Sequence, residues 1–301
     1  MRPGNRESSI TKICIEPAAA DEIAAALPYL GYMAREAMLP SMWLLREEHS
    51  SQPLAIAAVY HRPRSPLPGR THDFIYLPMV NERDALLHGR LLEQTLEHMR
   101  DRLAIDHLVT PFTREDQPLY QHLGSLGFKP VSSAYDMAAT NPAQIAAAFR
   151  AGREAIKEWA KGEAIELLSY QDGPEEAARD LHLQSLGLVP DGHYALFGML
   201  ENDKDYRGSC IAMKRGEVLG HVIISHELPN ATCESIVIGN SHRGSPLVAH
   251  MCLEVISGVR VSDYERVLFS VNTENERSLS FTSAFDSVQT GMRHQMLKSL
   301  A

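Results

Sequence analysis

The sequence predicts an α+β chain made of two tandem domains, each a mixed twisted sheet flanked by helices. Three observations predict it. The chain has 301 residues, about twice the length of a common single domain. One order of strand and helix signals occurs twice, offset by about 160 residues, as an internal duplication would give. An alanine-rich, charged stretch over 141–161 separates the two runs and reads as a connecting amphipathic helix starting at Pro142.

In the first run, 10–15 is strand-sized and apolar. Residues 17–32 carry alanine and leucine at helical spacing, with Asp21 and Glu22 early, where acidic groups suit a helix start. Segments 41–47 and 54–61 read as neighbouring strands. The stretch from His61 to His72 holds three prolines and a glycine and reads as a loop. Residues 74–80 are a buried-strand candidate. Over 86–103, apolar residues at 86, 87, 91, 92, 96, 99 and 103 fit the helical period. Strand 105–109, a short helix over 118–126 and strand 130–137 complete this half.

The second run begins with strand 164–168 and helix 174–186. Segments 209–213 and 218–225 form a hairpin around Lys214-Arg215-Gly216-Glu217, a turn containing glycine. Strand 233–238, helix 246–259, strand 266–271, helix 278–285 and strand 289–296 follow. The expected organisation is a loose polar tail over 1–9, a first domain over 10–140, the connecting helix over 141–162 and a second domain over 163–301.

Composition narrows the function classes. Twenty-nine basic against 38 acidic residues give a net charge of −9 and a pI near 5.9. Binding to nucleic acid or anionic membrane through a basic excess is therefore not expected. A hydrophobic fraction of 44% with 22% charged residues is that of a globular chain. Cys14, Cys210, Cys233 and Cys252 are scattered without a CxxC pair, which points to a reducing compartment rather than a disulfide framework. No apolar run approaches the roughly 20 residues of a membrane span, and the start lacks the apolar core of a signal peptide. The expectation is a soluble cytoplasmic protein. HExxH, paired metal-ligand spacing, a Walker A run, a GxSxG elbow and a GxGxxG fingerprint do not occur, so no metal is expected.

Three stretches carry more specific information. Residues 119–130 (LYQHLGSLGFKP) form a helix ending in Gly-Phe before a strand. Residues 236–245 (IVIGNSHRGS) run from a strand into a glycine-containing loop ahead of a helix. Residues 271–278 (VNTENERS) leave a strand through an asparagine-rich turn. Together with the element order, they resemble the GCN5-related N-acetyltransferase (GNAT) family, in two tandem copies covering nearly the whole chain. The resemblance implies domains whose fourth and fifth strands splay apart to hold the pantetheine arm of an acyl-CoA. It implies an acyl-CoA-dependent N-acyltransferase, with acetyl-CoA as cofactor, acting on a small-molecule amine, with the cofactor in the second domain.

The residues it singles out can be weighed chemically. The family's pyrophosphate loop places backbone N–H groups of a helix N-terminus around the diphosphate, with glycines allowing close approach. Here that loop aligns with 243–248 (RGSPLV): Arg243 and Gly244 match, and with Ser245 they are the expected diphosphate cradle. Pro246 stands where the family has glycine and removes an N–H, and Val248 adds bulk. In the first copy the loop aligns with 83–88 (RDALLH), which has no glycine and places Glu82 and Asp84 where a diphosphate would sit. Backbone groups at Ile236 and Ile238 are the expected pantetheine contacts, and Asn275 matches an asparagine that bonds the same arm; its other reading, with Asn272 beside it, is a helix cap, which is the preferred one. Glu234, on the fourth strand of the second copy, is the expected general base. His221 and His226 on the preceding strand are weaker candidates. Tyr120 is the expected general acid of the late helix in the first copy; the second copy has Ser278, Ser280, Thr282 and Ser283 there instead. The alternative is a GNAT-fold protein that has lost CoA and binds, or transforms, another small molecule in the same cleft.

Overall fold

The structure, a computed structural model, describes residues 13–19, 41–48, 50, 52–61, 67–79, 85–185 and 205–300. The expected tail over 1–9, helix 17–32 (apart from its first residues) and loop residues 80–84 lie outside them. The chain divides into two compact units. The first comprises 1–30, 38–131 and 294–301, and the second 31–37 and 132–293.

In the first unit, β1 (Ile13–Pro17), β2 (Ser41–Glu47), β3 (Pro53–His61) and β4 (Thr71–Pro78) form an antiparallel succession. β5 (His107–Val109) then runs parallel to β4. The crossover between them is α1 (Ala85–Arg102), whose Leu91, Leu92, Leu96 and Met99 are buried on one face. That face packs on Trp43, Leu45, Ala57, Phe74 and Phe128. β6 (Thr113–Arg114) and α2 (Pro118–Ser125) follow, with Pro118 in the first helical turn, where a missing N–H costs nothing.

The second unit repeats the pattern. β8 (Glu166–Ser169), β9 (Cys210–Lys214), β10 (Glu217–Glu227) and β11 (Asn230–Ile238) are antiparallel neighbours, and β12 (Arg266–Asn272) runs parallel to β11. The β9–β10 turn has Arg215 at φ 53° and Gly216 at φ 82°, the pair of positive dihedrals that a two-residue hairpin loop needs. The β10–β11 connection, Leu228-Pro229, has a cis peptide bond. α5 (Glu175–Ser185) lies against β10 and β11. α6 (Leu247–Ser257) buries Leu247, Met251 and Val255 against Val222, Ile224 and Ala231. α7 (Glu276–Ser283) ends the crossovers.

Two features depart from the sequence reading. The 141–161 stretch is two helices, α3 (Pro142–Ala151) and α4 (Arg153–Gly162), broken at Gly152. Gly152 sits at φ −92°, ψ 1° and closes α3 by donating to Phe149 and Arg150, so the low helix propensity of glycine outweighs the alanines around it. The strands that close the sheets also change places. β7 (Lys129–Ala139) pairs antiparallel with β12, and the end of β13 (Ser287–Ser299) pairs antiparallel with β5. The last residues of the chain thus belong to the first unit, where Met296 is fully buried in the core. Among the described residues no helix is long and apolar enough to cross a membrane.

Candidate active site

The site follows from how β11 and β12 part. Their parallel pairing runs from Asn230↔Arg266 to Cys233↔Phe269 and stops. Both strands continue: β11 is held by β10 as far as Gly220↔Ile238, and β12 by β7 as far as Asn272↔Ala134. Among the described residues the facing edges beyond Cys233 therefore have no strand partner, and their peptide groups are available to a ligand. At the start of this wedge the β10–β11 register slips. Ile223 pairs with Ser235 and Ile224 with Cys233, so Glu234 is the extra residue of a β-bulge. A bulge bends its strand and re-aims a side chain.

Glu234 is exposed, and its Oε1 accepts a 2.6 Å hydrogen bond from the buried Ser225 hydroxyl on β10. Beside it, Ser235 Oγ lies 3.0 Å from Nε2 of His221 and 3.3 Å from Nδ1 of His182 on α5, with the two rings stacked 5.6 Å apart. His221 is fully buried. Burial, with His182 second, pushes its pKa down to about 3; burial also lowers that of His182. Both imidazoles are neutral at pH 7. Because His221 Nδ1 is buried without a partner among the described residues, the lower-cost tautomer keeps the proton on Nε2, donating to Ser235, whose own proton then goes to His182. His226, the other weighed histidine, holds the Arg207 carbonyl at 2.8 Å and stacks near Tyr264, a packing role at the far end of β10.

Past Ile238 the chain makes a single 3₁₀ turn over Asn240–His242 and reaches α6 through 243–246. Arg243 is exposed and forms no ion pair with any described residue. Gly244 has φ +86°, and a side chain there would meet nothing within 4 Å, so the backbone is open to close approach. Pro246 is the N-cap of α6. The Ser245 hydroxyl donates to the His242 carbonyl at 2.7 Å and lies 3.4 Å from the Leu247 N–H. It therefore builds the turn, and the expected contact to a diphosphate falls to its neighbours. The N–H groups of Val248 and Ala249 have no intrahelical acceptor. Two main-chain donors, the α6 dipole and the Arg243 guanidinium thus fit an anionic group, with fewer donors than a glycine-rich loop would supply.

The remaining expected residues are dispersed. Ile236, 39% exposed, and the half-buried Ile238 lie on the parted segment of β11. Asn275 caps α7, its Oδ1 accepting from the Ser278 N–H at 3.1 Å. Tyr120 is on α2 of the first unit, its ring 5.1 Å from that of His294. Glu234, Ile236 and Ile238 lie on the parted segment of β11, Arg243 and Gly244 in the loop that follows it, and Tyr120 in the other unit. Sequence reasoning missed the Ser225–Glu234 contact and the Ser235 bridge. Their signal was alternation on β10: His221, Ile223 and Ser225 share one face, opposite the bulge. Among the described residues no group of three or more His, Cys, Asp or Glu is placed to hold a metal ion.

At the corresponding place in the first unit the strand is buried. β4–β5 pairing ends at Asp73↔Val109, and β3–β4 runs in unbroken register from Ala55↔Pro78 to His61↔His72. Without a bulge, Phe74, Ile75 and Tyr76 are 1%, 6% and 6% exposed, and burial raises the Tyr76 phenol far above its usual range. The loop residues Arg83 and Asp84 lie outside the described set.

No protein-family model matches the chain, and no curated protein does. Solved structures do. A tandem GNAT protein from the clavulanic acid biosynthesis pathway aligns with a TM-score of 0.57 at 12% identity, covering 96% of this chain and 99% of that one. A GCN5-related N-acetyltransferase from Anabaena variabilis aligns with a TM-score of 0.58 at 9% identity, over 96% of this chain and 73% of that one. A probable N-acyltransferase from Enterococcus faecalis gives 0.57 at 10% identity, with the same coverages. At such identities the likeness concerns the fold. In fold, the chain is similar to tandem GNAT proteins, with two GNAT-like units in one polypeptide.

Proposed function

We propose that the second unit binds an acyl-CoA, acetyl-CoA in the simplest case, and transfers the acyl group to a small-molecule amine. The observation that carries this reading is the exposed wedge beyond Cys233–Phe269, with a bulged carboxylate at its start and an anion-compatible helix N-terminus at its end. The group would be held by peptide groups of 234–238, by the Val248 and Ala249 N–H groups and by Arg243, with Asn275 offering its free amide edge. When bound, it supplies an activated thioester carbonyl. Glu234 has one oxygen held by Ser225, so Oε2 is the atom that takes a proton from the acceptor ammonium. The neutral His182–Ser235–His221 cluster adds no positive charge beside that carboxylate, which favours a cationic acceptor. Tyr120, in the first unit, is assigned no step in this reaction.

One observation favours the alternative, a GNAT fold that has lost CoA. Pro246 has no N–H, and the Leu247 N–H is turned toward Ser245, so the cradle is short of donors. Calorimetric titration with acetyl-CoA and with free CoA separates the two. Binding that Arg243→Glu weakens by about tenfold or more, the worth of a charge-assisted contact, supports the transferase. Absence of heat from a folded protein supports the alternative.

A further inference from the structure

We infer that Ser225 is a positioning residue that fixes which oxygen of Glu234 acts as the base; the inference rests on the transferase reading above. Ser225 is 3% exposed on β10, so its hydroxyl cannot turn to water. It lies 2.6 Å from Glu234 Oε1, within the range of a hydroxyl donating to a carboxylate. The direction of the bond is fixed by chemistry, because an ionised carboxylate only accepts.

The contact sits at the bulge. In the regular ladder beyond it, Ser225 faces Thr232, and Ile224 faces Cys233. Alternation from Thr232 puts Glu234 on the face that carries Ser225, and the slip leaves it there without a ladder partner of its own, so the serine holds a side chain at the bulge. The first unit has no counterpart, since β3–β4 keeps its register throughout. Glu234 is otherwise an exposed side chain on a strand edge, free to sample several rotamers. With Oε1 held by Ser225, Oε2 is the oxygen left to accept a proton. A base held in one orientation is ready for proton transfer, whereas a free one must be ordered first. Ser225 itself touches no reacting atom.

The test is a double-mutant cycle on Ser225→Ala and Glu234→Gln, with Ser225→Thr as the variant that keeps the hydroxyl. The assay is thiol release from acetyl-CoA with the best acceptor from a panel of primary amines, alongside thermal melting of each variant. The expected result is a kcat about tenfold lower in Ser225→Ala, KM for acetyl-CoA unchanged, and recovery in Ser225→Thr. In the Glu234→Gln background, Ser225→Ala should cost no further activity. A merely structural serine would instead lower activity by the same factor in both backgrounds, and that overturns the inference. So does a Ser225→Ala enzyme as active as the unmodified chain. If Ser225→Ala does not fold, an active Ser225→Thr with unchanged KM supports the role, and an inactive but folded one contradicts it. A folded, unmodified chain that transfers no acyl group to any amine overturns the transferase reading itself, which distinguishes that failure from failure of the positioning role alone.

Discussion

β4 and β11 occupy the same place in two copies of one fold, yet they are prepared for different tasks. β4 keeps strict register with its neighbour and buries Phe74, Ile75 and Tyr76 beyond the point where it leaves β5. β11 slips by one residue at Glu234, and its parted segment exposes Glu234 and Ile236. The difference teaches that the splay alone does not make a site. Both copies have it, but among the described residues only the copy with the bulge couples it to an open edge and an oriented carboxylate. The first unit has kept the strand order and filled the corresponding place with core.

The comparison breaks most sharply at the carboxylate. Glu234→Gln should lower acyl transfer about a hundred- to ten-thousand-fold, the usual worth of a general base, whereas Asp73→Asn at the last paired residue of β4 should change it little. Steady-state rates of the two variants check this. Equal losses would make the first unit a second active site.

A stability measurement sharpens the exchange of closing strands. Met296 lies in the second half of the sequence but in the core of the first unit. Met296→Ala should cost about 2–5 kcal/mol, as other buried truncations do. Hydrogen exchange should show the loss in β2–β5 and α1, with the β9–β11 core retained.

Acid should act on the second unit through the buried histidines. Burial depresses both pKa values, that of His221 to about 3 from 6.5. The unfolded chain therefore takes up protons below about pH 6.5 that the folded chain refuses. Stability present above that pH should fall by about 1.4 kcal/mol per pH unit through His221 as pH drops toward 3, with His182 acting in the same direction. Urea titrations at stepped pH check the slope, and His221→Leu should flatten it.

Asn275 gives the smallest effect. As a cap of α7, its replacement by alanine should cost about 1 kcal/mol, read by chemical denaturation.

Much of this architecture is legible in the chain. Strands and helices follow the periods of their apolar residues, as at Leu91, Leu92, Leu96 and Met99, and Arg215-Gly216 announces its hairpin. Asn275 reads as a cap because the residue type and its place before a helix suffice. What is not legible depends on pairing. Residues 130–137 read as a strand, but alternation does not say which β5-like strand it will join, so the exchange of β7 and β13 had no local signal. The bulge is equally silent. Glu234-Ser235 looks like a polar interruption of a strand, and only the register against Ile223 and Ile224 shows that one residue is extra. Gly152 broke a helix that the surrounding alanines favoured, a local cost that a periodicity argument does not weigh.

We expect that, among the described residues, the second unit alone presents a cofactor wedge. Hydrogen–deuterium exchange of the intact protein with and without saturating acetyl-CoA tests it most directly. The account predicts slowed exchange at 234–238 and at the start of α6, with no change over 71–78. Protection of 71–78 with none at 234–249 would contradict it.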